Sequence, residues 1–351
     1  MWVADMDFKT SPKIIDALHK RLEHGVFGYS MPTDEVYLSV TNYLLKKYNW
    51  KVEKDWIFFL PGLVSALYAI TRIFVDKEDE ILTFVPIYPP FLKAPDFNKK
   101  ILKKIPLKQE NGKYVVNFDM LENTIGDKTS LLLLCNPQNP TGKVFTKDEL
   151  VRISDLCHKN NILICSDEIH SDLILDKEKN HIPIATISKA SENNSITLMA
   201  PSKTYNIAGL NASFVIIPNE EIREKFIEGI GDSIPIVNTL AYTALTESYK
   251  LPDDWRNELL DYLRENREIL KIFINRNPIL EYLPGEATYL AWIDCRKMNL
   301  KNPALYFEKY GVGLNNGADF GMSGFVRLNF ACPKSQLNNA LERMQNALDE
   351  M

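Results

Sequence analysis

Residues 130–142 read SLLLLCNPQNPTG, four consecutive leucines running into a loop with two asparagine–proline pairs. Strands buried on both faces of a parallel sheet read as unbroken apolar runs, so residues 131–134 are expected to be such a strand. The loop beyond it packs two prolines and a glycine into seven residues. Proline fixes its own φ, so this exit is rigid and can present Asn139 as a donor toward a phenolate oxygen. A plain strand exit before the next helix is the simpler alternative, but a loop this constrained at a strand end usually positions something.

Working outward, the same texture recurs. Short apolar runs at Ile57–Leu60, Glu80–Val85 and residues 162–166, 196–199 and 213–217 alternate with helical patterns such as residues 147–160. That rhythm predicts an α/β fold with one wound, mostly parallel central sheet. After Pro252 the chain turns to DDWRNELLDYLRENREILKIFINR (residues 253–276), a long charged stretch with apolar residues at helical spacing. Strand-like TYLAWID and GFVRLNF follow, then a helix from about Lys334. We expect a large domain over residues 29–251 and a smaller α/β domain built from residues 1–28 and 252–351.

The chain has 351 residues, 45% of them hydrophobic and 25% charged, ample for a large core. Its net charge of -5 argues against a nucleic-acid binder, which needs a basic surface, and toward a small-molecule partner. Cys135, Cys157, Cys165, Cys295 and Cys332 are scattered and odd in number, so neither a disulfide framework nor a metal site is indicated. A reducing, cytoplasmic setting fits. MWVADMDF at the start has no signal-peptide pattern, and no apolar run is long enough to span a membrane.

In an open α/β sheet, ligands bind beyond the carboxyl ends of the strands, so the residues after each apolar run carry the chemistry. PGLVSAL (residues 61–67) offers free backbone N–H groups at Leu63, Val64 and Ser65 that could hold a phosphate, although a tight loop capped by Ser65 explains it equally simply. In SDEIH, Asp167 ends a thoroughly apolar strand, where an ionised carboxylate is costly without a cation. A protonated pyridine nitrogen is such a cation. Taken singly, Asp167 reads as a helix cap, His170 as a hydrogen-bonded core histidine and Lys203 in APSKTYN as a solvated surface charge. The order of the parts favours function: phosphate turn, asparagine loop, strand-end aspartate and lysine, all at one edge of one sheet.

These stretches, with WVADMDF (residues 2–8), HGVFGY ending at Tyr29, CNPQNPTGKVFT, SDEIHSDLIL, SKTYNIAGL, TYLAWID and FVRLNFACP, resemble the fold-type I pyridoxal-phosphate family along the whole chain. Within it they are most similar to the cystathionine β-lyase (MalY/PatB) branch. The resemblance implies pyridoxal 5'-phosphate as cofactor and Lys203 as its Schiff-base lysine. It further implies Asp167 at the pyridine nitrogen, Asn139 at the ring oxygen, His170 near that oxygen and Tyr88 stacked on the ring. Leu63, Val64, Ser65 and Ser202 would bind the phosphate, joined by Tyr29 from the second subunit of a homodimer, and Arg327 would clamp the substrate α-carboxylate. A structural ion pair is the alternative for Arg327, an apolar-turn aromatic that for Tyr88.

Three departures from the family pattern bear on this. Ala200 stands where several relatives carry a phosphate-binding serine, which shifts that duty to Ser202. Asn211 stands eight residues after Lys203, where many aminotransferases place a phosphate-binding arginine. Relatives of this branch also carry more residues ahead of WVADMDF, which implies a shortened amino-terminal arm. The implied activity is β-elimination from S-substituted L-cysteines. Two rivals are an aminotransferase and a regulatory protein that keeps the fold without the chemistry.

Overall fold

The computed structural model describes residues 1–351. Its strands are β1 (Ile57–Leu60), β2 (Glu80–Val85), β3 (Ile101–Pro106), β4 (Lys108–Glu110), β5 (Lys113–Val115), β6 (Thr129–Cys135) and β7 (Leu163–Asp167). They continue with β8 (Ser195–Met199), β9 (Ser213–Ile216), β10 (Glu281–Tyr282), β11 (Leu290–Asp294), β12 (Asn315–Asn316) and β13 (Phe325–Asn329). Seven of them form the central sheet in the order β1-β9-β8-β7-β6-β2-β3. The pairs from β8 through β7, β6 and β2 to β3 are parallel, while β9 runs antiparallel to both its neighbours.

Side chains alternate faces along a strand, and β6 shows what its leucines do. Leu131 and Leu133 pack into one apolar cluster with the helix Leu63–Ile73, while Leu132 and Leu134 enter another with the helix Lys147–Lys159. All four are fully buried, each contributing on the order of 2 kcal/mol of hydrophobic stabilisation. β3 escaped sequence reading because its sequence, ILKKIP, has no apolar run. It is an edge strand whose exposed lysines deter further pairing.

A second sheet, β10-β11-β13-β12, carries the helices Asp254–Arg276 and Lys334–Asp349 on one face. Val326 and Leu328 of β13 point into that cluster, and Phe325 points the other way, toward the central sheet. Period-two alternation therefore turns Arg327 toward the central sheet as well.

The loops that follow β6 and β7 meet the loop before β11 backbone to backbone. Gly142, at φ +69°, lies so close to the second unit that a Cβ there would sit 2.5 Å from the Ala287 carbonyl oxygen and 2.7 Å from Gly285 Cα. Only glycine fits that approach. The junction is sealed by Ala287 N–H donating to Gly142 O, Thr288 N–H to Leu173 O and Leu175 N–H to Glu286 O.

Candidate active site

The strand ends at the carboxyl edge open onto an enclosed cavity of about 370 Å³. Leu63, Val64, Tyr88, Asn139, Asp167, His170, Ser202 and Lys203 all line it, each from the segment that leaves its own strand. Arg327 joins them through Asn139, whose Oδ1 accepts from Arg327 Nη1 at 3.0 Å. A larger, more open cleft of about 870 Å³ lies between the helices Pro12–Glu23 and Thr239–Lys250, and none of the expected residues line it.

Besides Arg327, two expected residues lie apart from the cavity wall. Ser65 turns its hydroxyl back to donate to Gly62 O at 2.6 Å, which leaves its backbone N–H as the donor for a ligand. Tyr29 is 99% exposed and outside the cavity of its own chain.

The buried groups are electrostatically unusual. Asp167 is almost fully buried and has no ion-pair partner, and its carboxylate accepts one hydrogen bond, from the Ile169 N–H at 3.1 Å. Burial pushes its carboxyl up to about 7, with the neighbouring Glu168 charge adding to the rise, while the Ile169 N–H and Lys203 pull it down. Burial likewise lowers Lys203, with Arg327 adding to the depression, so the amine loses its proton more readily than an ordinary lysine. His170 is driven down to about 3 by burial, then by Lys203 and Arg327, which makes it a neutral imidazole, and its Nδ1 has no partner. Burial brings Arg327 down to about 10.

Arg327 is held in plane by Asn139, by Asn315 Oδ1 at 2.7 Å and by the Trp2 carbonyl at 2.8 Å, with its buried Nε unpartnered. Lys203 Nζ donates to the Ala4 carbonyl at 2.6 Å, which also accepts from Tyr289 OH at 3.0 Å. Asn206 and Asn329 each grip two further carbonyls of this leading segment, at Met6 and Phe8 and at Val3 and Asp5. Sequence reasoning missed these contacts because a backbone carbonyl leaves no trace in residue type. Only the polar Asn315 in a small strand hinted at one of them.

Asn211 lines the cavity with left-handed backbone, φ +58°, a conformation asparagine tolerates better than arginine. The donor set fits a planar ring bearing a cationic nitrogen and an anionic tail. The buried carboxylate lacks a cation, and the first-turn N–H groups of the helix Leu63–Ile73 are natural anion donors. The Asn139 amide nitrogen makes no hydrogen bond within the protein, and an amine of depressed proton affinity stands between these ends.

A cavity at the carboxyl edge of a wound sheet, with lysine, aspartate and arginine converging from separate strands, defines a small-molecule transforming site of the α/β class. Residues 3–344 match the family described as aminotransferase class I and II, and the chain belongs to that family. The chain is 35% identical to cystathionine beta-lyase PatB of Bacillus subtilis, over 99% of this chain and 92% of the relative. Among solved structures, OvoB superposes with a TM-score of 0.97 at 40% identity, covering 99% of this chain and 92% of that one. Cystalysin of Treponema denticola, whose structure contains a pyridoxal 5'-phosphate cofactor, gives 0.95 at 34% identity, covering 100% and 91%.

Proposed function

We propose that this protein is a pyridoxal 5'-phosphate-dependent carbon–sulfur β-lyase, converting an S-substituted L-cysteine such as L-cystathionine, with water, into a thiol, pyruvate and ammonia. The observation that carries the cofactor reading is Asp167, a buried carboxylate that lacks a cation and shares one cavity with Lys203. The choice of β-elimination over transamination rests on kinship with cystathionine beta-lyase PatB and on Asn211 at the aminotransferase arginine position.

Bound in this cavity, pyridoxal 5'-phosphate supplies an electron-withdrawing ring that acidifies the Cα–H bond of the amino acid it carries. Asp167 would pair with the ring nitrogen and favour its protonated form, with the Asp167 carboxyl ionised beside it. Asn139 donates to the ring oxygen while its other amide atom stays on Arg327. Tyr88 and His170 flank the ring. The N–H groups of Leu63, Val64 and Ser65, with the Ser202 hydroxyl, hold the phosphate. Arg327 would meet the substrate carboxylate with the donors it does not commit to Asn139, Asn315 and Trp2, its unpartnered Nε–H among them, and so aim the Cα–H bond. Lys203 would be the covalent anchor for the cofactor, and its amine, when free, would be the base for the Cα proton. Burial favours its uncharged form, which is the form able to act as base.

Purified protein is expected to release pyruvate and ammonia from L-cystathionine or L-cystine with no keto acid present. L-Aspartate plus 2-oxoglutarate should be turned over far more slowly. Pyruvate release that required a keto acid would replace the lyase with an aminotransferase.

A homodimer belongs to the same proposal. Tyr29 lies in a loop with Val26, Phe27 and Met31, which are 60%, 56% and 77% exposed, an apolar patch suited to subunit contact. In the dimer Tyr29 reaches the partner's phosphate site. Sedimentation should show a dimer, and Tyr29→Phe should weaken cofactor retention about tenfold, the scale of one hydrogen bond to a charged group. A fully active monomer would remove Tyr29 from the site.

A further inference from the structure

The turn that carries Asp167 and His170 also carries a second carboxylate facing away from the cavity. Glu168 is fully buried, absent from the cavity wall, and saturated by three donors. Its Oε1 accepts from Ser166 Oγ at 2.9 Å and from the Ile184 N–H at 3.0 Å, while Oε2 meets His181 Nε2 at 2.7 Å. The Glu168 N–H is tied in turn to Leu198 O of β8.

His181 sits in a segment of irregular backbone, its side chain 1% exposed and its ring edge-on to Tyr48 at 5.5 Å. Its Nε2 pairs with the Glu168 carboxylate, and its Nδ1 has no partner. One residue further on, the Ile182 carbonyl accepts from Asn136 Nδ2 at 3.3 Å. Asn136 opens the loop that ends in Asn139. Residues 181–184 thus form a bracket behind the cavity, bonded to the Asp167 turn on one side and to the asparagine loop on the other.

We propose that the Glu168–His181 pair is a positioning device, which fixes the turn so that Asp167 and His170 meet the cofactor ring at the angle the asparagine loop sets. Neither residue touches the ring. Both act through Asp167 and His170, so this assignment rests on the cofactor reading above. Both oxygens of the Glu168 carboxylate are hydrogen-bonded, and a buried carboxylate held in this way keeps one geometry, whereas removing a partner leaves an unpaired group that relaxes into others. Loss of the pair therefore loosens the place where the ring nitrogen must sit.

The test compares cofactor-free and cofactor-loaded protein. A residue that merely supports the fold lowers both melting temperatures together. A positioning residue shrinks the stabilisation that ligand binding adds, because that increment follows the dissociation constant. In His181→Ala the apparent dissociation constant for pyridoxal 5'-phosphate, read by absorbance titration, should rise about ten- to a hundredfold. The cofactor-induced rise in melting temperature should shrink with it. His181→Gln, whose amide N–H can reach the same carboxylate oxygen, should recover to within about threefold of the parent. If His181→Ala binds within about twofold of the parent, or if both melting temperatures fall equally, the positioning role is wrong. Should that variant fail to fold, Glu168→Gln, which keeps the shape and loses the charge, is judged by the same criteria. Parent protein that fails to bind the cofactor overturns the proposed function itself, a result distinct from a parent that binds and a variant that binds as well.

Discussion

Lys203→Ala is expected to lower β-elimination at least about 10⁴-fold, because one amine supplies both the covalent attachment and the base. The fold should survive. In the protein Lys203 makes one hydrogen bond, to the Ala4 carbonyl, and that carbonyl keeps Tyr289 OH as a second donor. Removing a buried amine also relieves the desolvation that depresses its proton affinity. Borohydride reduction followed by peptide mass analysis should place the cofactor on Lys203 in the parent and leave the variant unlabelled. An adduct of unchanged yield in the variant would assign attachment to another lysine.

Asp167→Asn should move activity and stability in opposite directions. Turnover is expected to fall at least about 10³-fold, since a neutral amide cannot hold the ring nitrogen protonated. Stability of the cofactor-free protein should rise. Burial holds the Asp167 carboxyl at about 7 against an ordinary 3.8, so between these values the folded chain keeps a proton that the unfolded chain has lost. Wherever the native state binds the extra proton, stability falls as pH rises. The cofactor-free parent therefore weakens from about pH 4 to about pH 7 and carries the full penalty above that. Asparagine does not titrate, so the cofactor-free variant should be more stable at pH 8 by on the order of 2 kcal/mol, narrowing toward pH 4. Denaturant melts at the two pH values measure it. A variant as active as the parent, or less stable at pH 8, would remove the charged-carboxylate role.

The strand ends were legible in sequence because physical rules make them conspicuous. An unbroken run such as residues 131–134 must be buried on both faces, and Asn139, Asp167 and Lys203 each follow such a run. Their convergence on one cavity then follows from parallel pairing, which puts successive carboxyl ends on the same edge. What escaped has equally physical causes. β3 is lysine-rich because it is an edge. The Ser65 hydroxyl turned back to the Gly62 carbonyl, which residue type alone cannot distinguish from a ligand contact. Glu168 and His181 are far apart in character and thirteen positions apart in sequence, and only the path of the chain after β7 joins them. Nothing in the spelling of MWVADMDF shows that its carbonyls would meet Lys203, Arg327, Asn206 and Asn329.

That leading segment also orders the protein's assembly in time. Residues 2–8 are among the first synthesised, yet their anchors come far later in the chain. Lys203 stands 199 positions from Ala4, and Asn329 stands 326 from Val3. Contacts of such sequence separation form late, because their loop entropy must be overcome first. A nascent chain that has reached Met298 already holds β1 to β11, with Asn139, Asp167, Lys203 and Tyr289 able to gather. It still lacks Arg327, Asn315 and Asn329, which come from β12 and β13. The wall that carries Asn139, Asp167 and Lys203 can therefore form on the growing polypeptide, while Arg327 waits for the last strand, and a chain stopped before Phe325 would have the first without the second.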